Sequence, residues 1–331
     1  MQVTMLGTSS GTPTRSRNVS AAAVNLEGKR DWVLVDCGEG TQHRLLRAPL
    51  SLLKLKAICI THMHGDHCYG LPGLLASAQL SGRTDPLLLI GPADLKSYID
   101  AMQTYAELGI EYLLEFVDVE SMDAGIEQAG LMITRTALSH RIPSCAYRFE
   151  ECAIERRLDV ERLKAEGIPA GPFWYQLQKG EEVTLDDGRV LDGQHYSSPS
   201  REPRVVIIAG DNDTPQLLEN ACGGADLLVH EATYTEEVAA KVGPEPQHST
   251  AQRVAEFAHR VRLPNLLLTH FSPRYQDNPR RDPDAGEAKG LSVEDLRNEA
   301  EAVYSGQLFM AKDLERYTLS RDKKIGRESL R

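Results

Sequence analysis

Short apolar runs punctuated by Gly, Ser and Thr dominate the first third of the chain. Val3–Leu6, Ala21–Leu26, Trp32–Val35 and Leu55–Ile60 have the length and content of strands, with turn residues between them. Asp36, Cys37 and Gly38 close the third run, and Thr41–Leu46 predicts a helix that Arg47 and Pro49 end. A helix over Leu74–Leu80 and a strand over Leu87–Ile90 follow. Asp94–Glu107 then reads as an amphipathic helix capped by its own aspartate. Strands are predicted again at Leu113–Val119, Leu131–Leu138 and Ala146–Phe149, and a second series of strands and helices begins at Val205. Such a duplicated mixture suits two β-sheets packed face to face with helices outside, in one domain over residues 1–331.

Two stretches interrupt the pattern. Residues 156–191 hold V-E-R-L-K-A-E-G, then I-P-A-G-P, then F-W-Y-Q-L-Q-K-G, between strands that need only a short connection. They are read as an insertion. Residues 276–290, rich in Pro, Asp and Arg, are read as a flexible loop, and 320–331 as a frayed, disordered tail. After Pro273 little else is assigned.

Composition narrows the class. An apolar content of 41% and a charged content of 26% suit a soluble enzyme, and no run reaches the ~18 apolar residues of a bilayer span, so a cytoplasmic protein is expected. The six cysteines include no C-x-x-C pair and read as reduced, mostly buried thiols, with Cys68 as packing. A net charge of −11, from 37 basic and 48 acidic residues, excludes RNA binding by diffuse attraction alone. Phosphate would have to be held by local basic groups or by metal ions.

The strongest chemical signal is the run Thr61, His62, Met63, His64, Gly65, Asp66, His67. Imidazole and carboxylate are the ligands of zinc and similar ions, and a two-residue spacing aims His62 and His64 the same way from extended backbone. Gly65 lets the chain turn, so Asp66 and His67 can face a second ion. Three more polar residues end apolar runs in the same manner: His140 after L-M-I-T-R-T-A-L-S, Asp211 after R-V-V-I-I-A-G, and His270 after N-L-L-L-T. A dinuclear site needs ligands of this kind, converging at strand ends.

The motif H-x-H-x-D-H after a strand resembles the metallo-β-lactamase superfamily, and T-H-M-H-G-D-H-C-Y-G-L-P-G-L-L, Thr61 to Leu75, resembles its ribonuclease Z family. That resemblance implies an α/β fold, a four-layer αββα sandwich, with a protruding helical arm at 156–191. It implies two zinc ions per subunit, with manganese or cobalt as alternatives. His62, His64 and His140 would hold one ion, Asp66, His67 and His270 the other, and Asp211 would bridge. Asp213, in Gly210-Asp211-Asn212-Asp213-Thr214, is the alternative to Asp211. Asp36 would support the site from beneath.

The implied activity is endonucleolytic removal of the 3′ trailer from precursor tRNA, by metal-activated hydroxide attack that leaves a 3′-hydroxyl. Asp66 would also orient the water. His248 in Q-H-S-T and Glu231 in H-E-A-T match family motifs and would supply the proton to the leaving oxygen, with His230 in an orienting role. Pro13-Thr14-Arg15-Ser16-Arg17-Asn18 resembles the family's P-x-K-x-R-N loop, so Arg15 and Arg17, with Asn18, would clamp RNA phosphates. In the insertion Gly171 and Pro172 match the arm's landmark, and a homodimer without membrane attachment is implied. The competing readings are a small-nucleotide phosphodiesterase or thioester hydrolase on the same scaffold, and a non-enzymatic RNA-binding protein.

Overall fold

A computed structural model describes residues 1–152, 154–277 and 290–330. They form two compact units, one from residues 1–150 and 204–331, the other from 151–203. The larger unit contains two sheets. The first runs, in spatial order, Ile325–Ser329, Glu315–Leu319, Gln2–Gly7, Ala21–Asn25, Trp32–Val35, Leu55–Cys59, Leu87–Gly91 and Leu114–Asp118. The second runs Gln307–Met310, Asn265–Thr269, Leu227–Glu231, Val205–Ala209, Ser144–Glu151, Leu131–Leu138 and Ile126–Gln128.

The period-two alternation of each strand builds the layers. Val33, Val35, Ala57 and Cys59 of the first sheet meet Tyr147, Phe149, Val206 and Ile208 of the second in one shared core. Their sequence neighbours Leu34 and Ile58 point the other way, into a layer with the helices Leu71–Leu80 and Asp94–Tyr105. On the far face Ile207, Leu228 and Leu266 pack against the helices Ala251–Arg260 and Val293–Glu301. This is the expected order helix, sheet, sheet, helix.

Parallel pairing positions the chemistry. Trp32–Val35, Leu55–Cys59 and Leu87–Gly91 run parallel in one sheet, and Val205–Ala209, Leu227–Glu231 and Asn265–Thr269 in the other. The carboxyl ends of parallel strands lie on one edge, the place where open sheets leave a crevice.

The smaller unit is wider than the expected 156–191, because its strand Arg156–Leu158 pairs antiparallel with Ser197–Pro199. The helices Val160–Ala165 and Trp174–Lys179 and the hairpin of Glu182–Thr184 with Val190–Asp192 share a core of Leu163, Ile168, Leu177, Val183, Leu191 and Tyr196.

Three expectations are corrected. The tail is not frayed: Ile325–Ser329 pairs residue by residue with Glu315–Leu319, so backbone bonds order a segment whose side chains are mostly exposed. Asp94 is not its helix's cap: the cap position is Ala93, and no side-chain capping bond forms. The carboxy-terminal segment does carry a signal, since Ser292 and Asp295 form a capping box at the start of Val293–Glu301. Of the loop expected at 276–290, residues 278–289 lie outside the described residues. Among the described residues no helix is long and apolar enough to cross a membrane.

Candidate metal centre

Four residues of the site lie just beyond the ends of buried apolar strands. Asp36 follows Trp32–Val35, His62 follows Leu55–Cys59, Asp211 follows Val205–Ala209, and His270 follows Asn265–Thr269. Asp36 and His270 both adopt φ of 58°, in the left-handed region, which turns the chain sharply out of its strand. Gly210 permits the approach of the two sheets here, because a β-carbon on it would lie 2.6 Å from Thr61 Cβ. With no side chain there, Asp211 can reach the histidine loop.

The side chains fall into three overlapping groups, one of them Asp211, His248 and His270. His62, His64, His140 and Asp211 converge in another, and Asp66, His67 and His270 in the last. Asp211 reaches towards all of them. Its Oδ2 lies 3.6 Å from His62 Nε2 and 3.7 Å from His140 Nε2, while its Oδ1 lies 3.4 Å from the Nε2 atoms of both His67 and His270. Asp213 instead accepts a bond from Thr214 Oγ1, so Asp211 is the residue at the centre.

The hydrogen-bond network fixes where the ring protons are. Thr61 Oγ1 lies 2.9 Å from the acceptor-only carboxylate Asp36 Oδ2, so it donates there and accepts from His62 Nδ1 at 3.0 Å. His67 Nδ1 donates to Asp36 Oδ2 at 2.7 Å, and His140 Nδ1 to the carbonyl of Gln247 at 2.9 Å. Thr233 Oγ1 donates to Glu231 Oε2 and accepts from His270 Nδ1 at 3.0 Å. Each of these four imidazoles therefore turns Nε2, the nitrogen left free of those bonds, towards the centre, where it can serve a cation.

Those nitrogens face one another. His67 Nε2 and His270 Nε2 are 3.4 Å apart, and His62 Nε2 and His140 Nε2 each lie 3.1 Å from His64 Nδ1. Ring nitrogens gathered so closely are placed to share a cation. Donors about 2.0–2.1 Å from a shared tetrahedral ion lie roughly 3.3 Å apart, the spacing found here. The donor set fits divalent metal.

Electrostatics agree. Burial, then the charge of His140, pushes His64 down to about 4, and burial, then His67, holds His62 well below its usual range, so both are neutral ligands. Burial opposes charge on His67, but Asp211, Asp36 and Asp66 outweigh it and hold the ring protonated. In the bare chain a proton meets the demand of these carboxylates for positive charge. A cation would meet it too.

Beside the centre, His248 Nδ1 donates to Glu231 Oε1 at 3.0 Å. Glu231 is fixed by further bonds from the Asn212 amide at 2.9 Å and from Thr233. Burial disfavours a charged His248, but Glu231 outweighs it and raises the imidazole to about 9. His248 is thus paired with Glu231 through Nδ1, and it also comes within reach of Asp211 and His270. His230 accepts from Asn212 Nδ2 at 3.1 Å and so steadies the residue beside Asp211.

The arginine loop departs from expectation. Arg17 is buried, its guanidinium donating to Thr8 Oγ1 at 2.6 Å and the Ala311 carbonyl at 2.7 Å and pairing with Asp277. Asn18 is also buried, its side chain on the Glu39 carbonyl and its amide on Asp313. Neither can clamp a phosphate as read from the sequence, because their polar groups are already used inside the protein. They brace a loop whose Gly11 amide donates to Asp66 Oδ2 at 2.7 Å. Arg15 is exposed. Gly171 and Pro172 lie in the smaller unit, just ahead of Trp174–Lys179.

Above the centre opens a cleft of about 360 Å³, lined among others by Glu39, His64, Tyr69, Arg141, His248 and His270. Tyr69 and Arg141 went unnoticed in the sequence, and only their adjacency to ligand motifs could have flagged them.

Over 322 residues the chain is 50% identical to a protein named ribonuclease Z from Marinobacter nauticus, covering 97% of each. A family described as Anti-Pycsar protein Apyc1 matches residues 1–141, less than half of the chain. Among solved structures it resembles human tRNase Z, short form, with a TM-score of 0.63 and 24% identity, over 97% of this chain and all of that one. It also resembles the metallo-β-lactamase fold protein YhfI from Bacillus subtilis, with a TM-score of 0.60 and 19% identity, over 94% of this chain and 96% of that one. Both likenesses show the metallo-β-lactamase fold.

Proposed function

The chain belongs to the ribonuclease Z family, and from that premise we propose that it cuts the 3′ trailer from precursor tRNA with two zinc ions. The observation that carries this reading is the length of the identity, which runs through the ligand cluster and the 151–203 unit alike. His62, His64 and His140 would hold one ion, Asp66, His67 and His270 the other, and Asp211 both, with manganese or cobalt as substitutes. When bound, the ions supply charge to neutralise the phosphate oxygens and lower the pKa of a water towards about 7.

The protein's own groups do the rest. Asp66, fixed by the Gly11 amide, orients the water. His248, held by Glu231 through Nδ1, turns Nε2 to the substrate and gives its proton to the departing O3′, leaving a 3′-hydroxyl on the tRNA and a 5′-phosphate on the trailer. Arg15, free on the surface, contacts the backbone of the acceptor end. The 151–203 unit, which carries Gly171 and Pro172, binds the tRNA. A homodimer in the cytoplasm, with one subunit's insertion serving the other's site, completes the reading.

The test is cleavage of a precursor tRNA carrying a 3′ trailer by the purified protein. Products ending at the mature 3′-hydroxyl are expected. Loss of cleavage neither by chelation nor by His64→Ala would sink the reading.

A further inference from the structure

Arg141 lines the cleft above the centre without a hydrogen-bond or ion-pair partner among the described residues. It follows the candidate ligand His140, is exposed, and is the one lysine or arginine among the residues that line the cleft. Arg17 is locked inside, and Arg274 bonds Ser272 Oγ at 3.2 Å and lies over the Tyr234 ring. Arg141 makes no side-chain hydrogen bond or ion pair with any described residue. A planar fork of donors that serves no structural contact is suited to an anion with paired oxygens.

Tyr69 lines the same cleft and is 64% exposed. Its ring lies against the backbone of the histidine loop: a β-carbon on Gly65 would sit 2.1 Å from Tyr69 Cε2. Only glycine at 65 leaves the ring that place, between the candidate ligands His64 and Asp66. An aromatic face fixed beside the centre and open to solvent is a platform on which a base of any identity can stack. In a chain of net charge −11, diffuse attraction cannot hold RNA, so discrete contacts must.

We propose that Arg141 and Tyr69 form the subsite for the single-stranded nucleotide next to the cleaved linkage, Arg141 on its phosphate and Tyr69 on its base. The inference rests on the tRNA-processing reading. It replaces the buried Arg17 with a guanidinium that the fold leaves free.

The experiment follows single-turnover cleavage of a precursor tRNA, and of an unstructured oligoribonucleotide, over a series of salt concentrations, with zinc content and melting temperature as fold controls. Arg141→Ala is expected to lower kcat/KM about ten- to hundredfold and to flatten the slope against log salt by about 0.7, the loss of one single-strand phosphate contact. Arg141→Lys keeps the slope, because the charge remains. Tyr69→Ala is expected to lose about five- to hundredfold with the slope unmoved, and Tyr69→Phe to restore activity. An Arg141→Ala protein with the wild-type slope overturns the phosphate contact, and a Tyr69→Phe protein as impaired as Tyr69→Ala overturns the stacking. If the wild type cuts the oligoribonucleotide but not precursor tRNA, the tRNA-processing reading fails, and the slopes on the oligoribonucleotide still decide the subsite.

Discussion

Replacing Asp36 by Asn tests the network beneath the metal centre at a residue that holds no ion. Asp36 accepts from the Thr61 amide at 2.8 Å through Oδ1, and from Thr61 Oγ1 and His67 Nδ1 at 2.9 and 2.7 Å through Oδ2. Asparagine keeps the shape and tolerates the φ of 58°. It offers only one acceptor oxygen. If the new NH₂ faces His67, it meets a donor, and the ring must move its proton to Nε2, the atom that faces the centre. If the amide flips, the NH₂ faces the Thr61 amide and leaves a buried N–H unpaired, at a cost of about 1–3 kcal/mol. Either orientation disturbs the centre, and loss of such an outer partner costs ~10–100-fold in metal affinity, about 1.4–2.8 kcal/mol. Competition for zinc against a chromophoric chelator measures it directly. A zinc affinity for Asp36→Asn equal to that of the wild type, with the fold intact, would refute the tautomer argument.

Further outcomes are expected elsewhere. His248→Ala should lower kcat on precursor tRNA by ~10²–10⁴ with zinc content unchanged; a fall in zinc to match would make His248 a ligand instead of an acid. Arg17→Leu should destabilise the fold by roughly 1.5–3 kcal/mol in urea denaturation, through lost charged hydrogen bonds; a stable variant whose only defect is a raised KM for tRNA would restore the clamp reading. Glu150 and Val205 are paired across neighbouring antiparallel strands, so residues 151–204 can be replaced by an Asn-Gly hairpin turn. That variant should fold, bind zinc and show a raised KM for precursor tRNA, and an unchanged KM would contradict a binding role for the insertion.

The candidate ligands were legible in the sequence because they are local in kind: four lie in one six-residue run, and three end strand-like runs. Short apolar runs between turn residues likewise pointed to two sheets, and the structure places neighbours such as Leu34 and Val35 in opposite layers. Arg17 was misread because its partners are remote: an arginine in a polar loop looks the same whether it faces solvent or reaches the Ala311 carbonyl 294 positions away. Arg141 escaped for the complementary reason, as its role lies in contacts it does not make. The last strand was misjudged because edge pairing needs backbone bonds and little apolar content, so Ile325–Ser329 has almost no side-chain signature.

The central claim is that Asp211 joins two separate cation sites, one facing each of its oxygens. An anomalous difference map at the zinc absorption edge, from crystals of the active protein, tests it directly. The account predicts two peaks, one among His62, His64 and His140 and one among Asp66, His67 and His270, with Asp211 between them. A single peak, or none in a protein that still processes RNA, would contradict it.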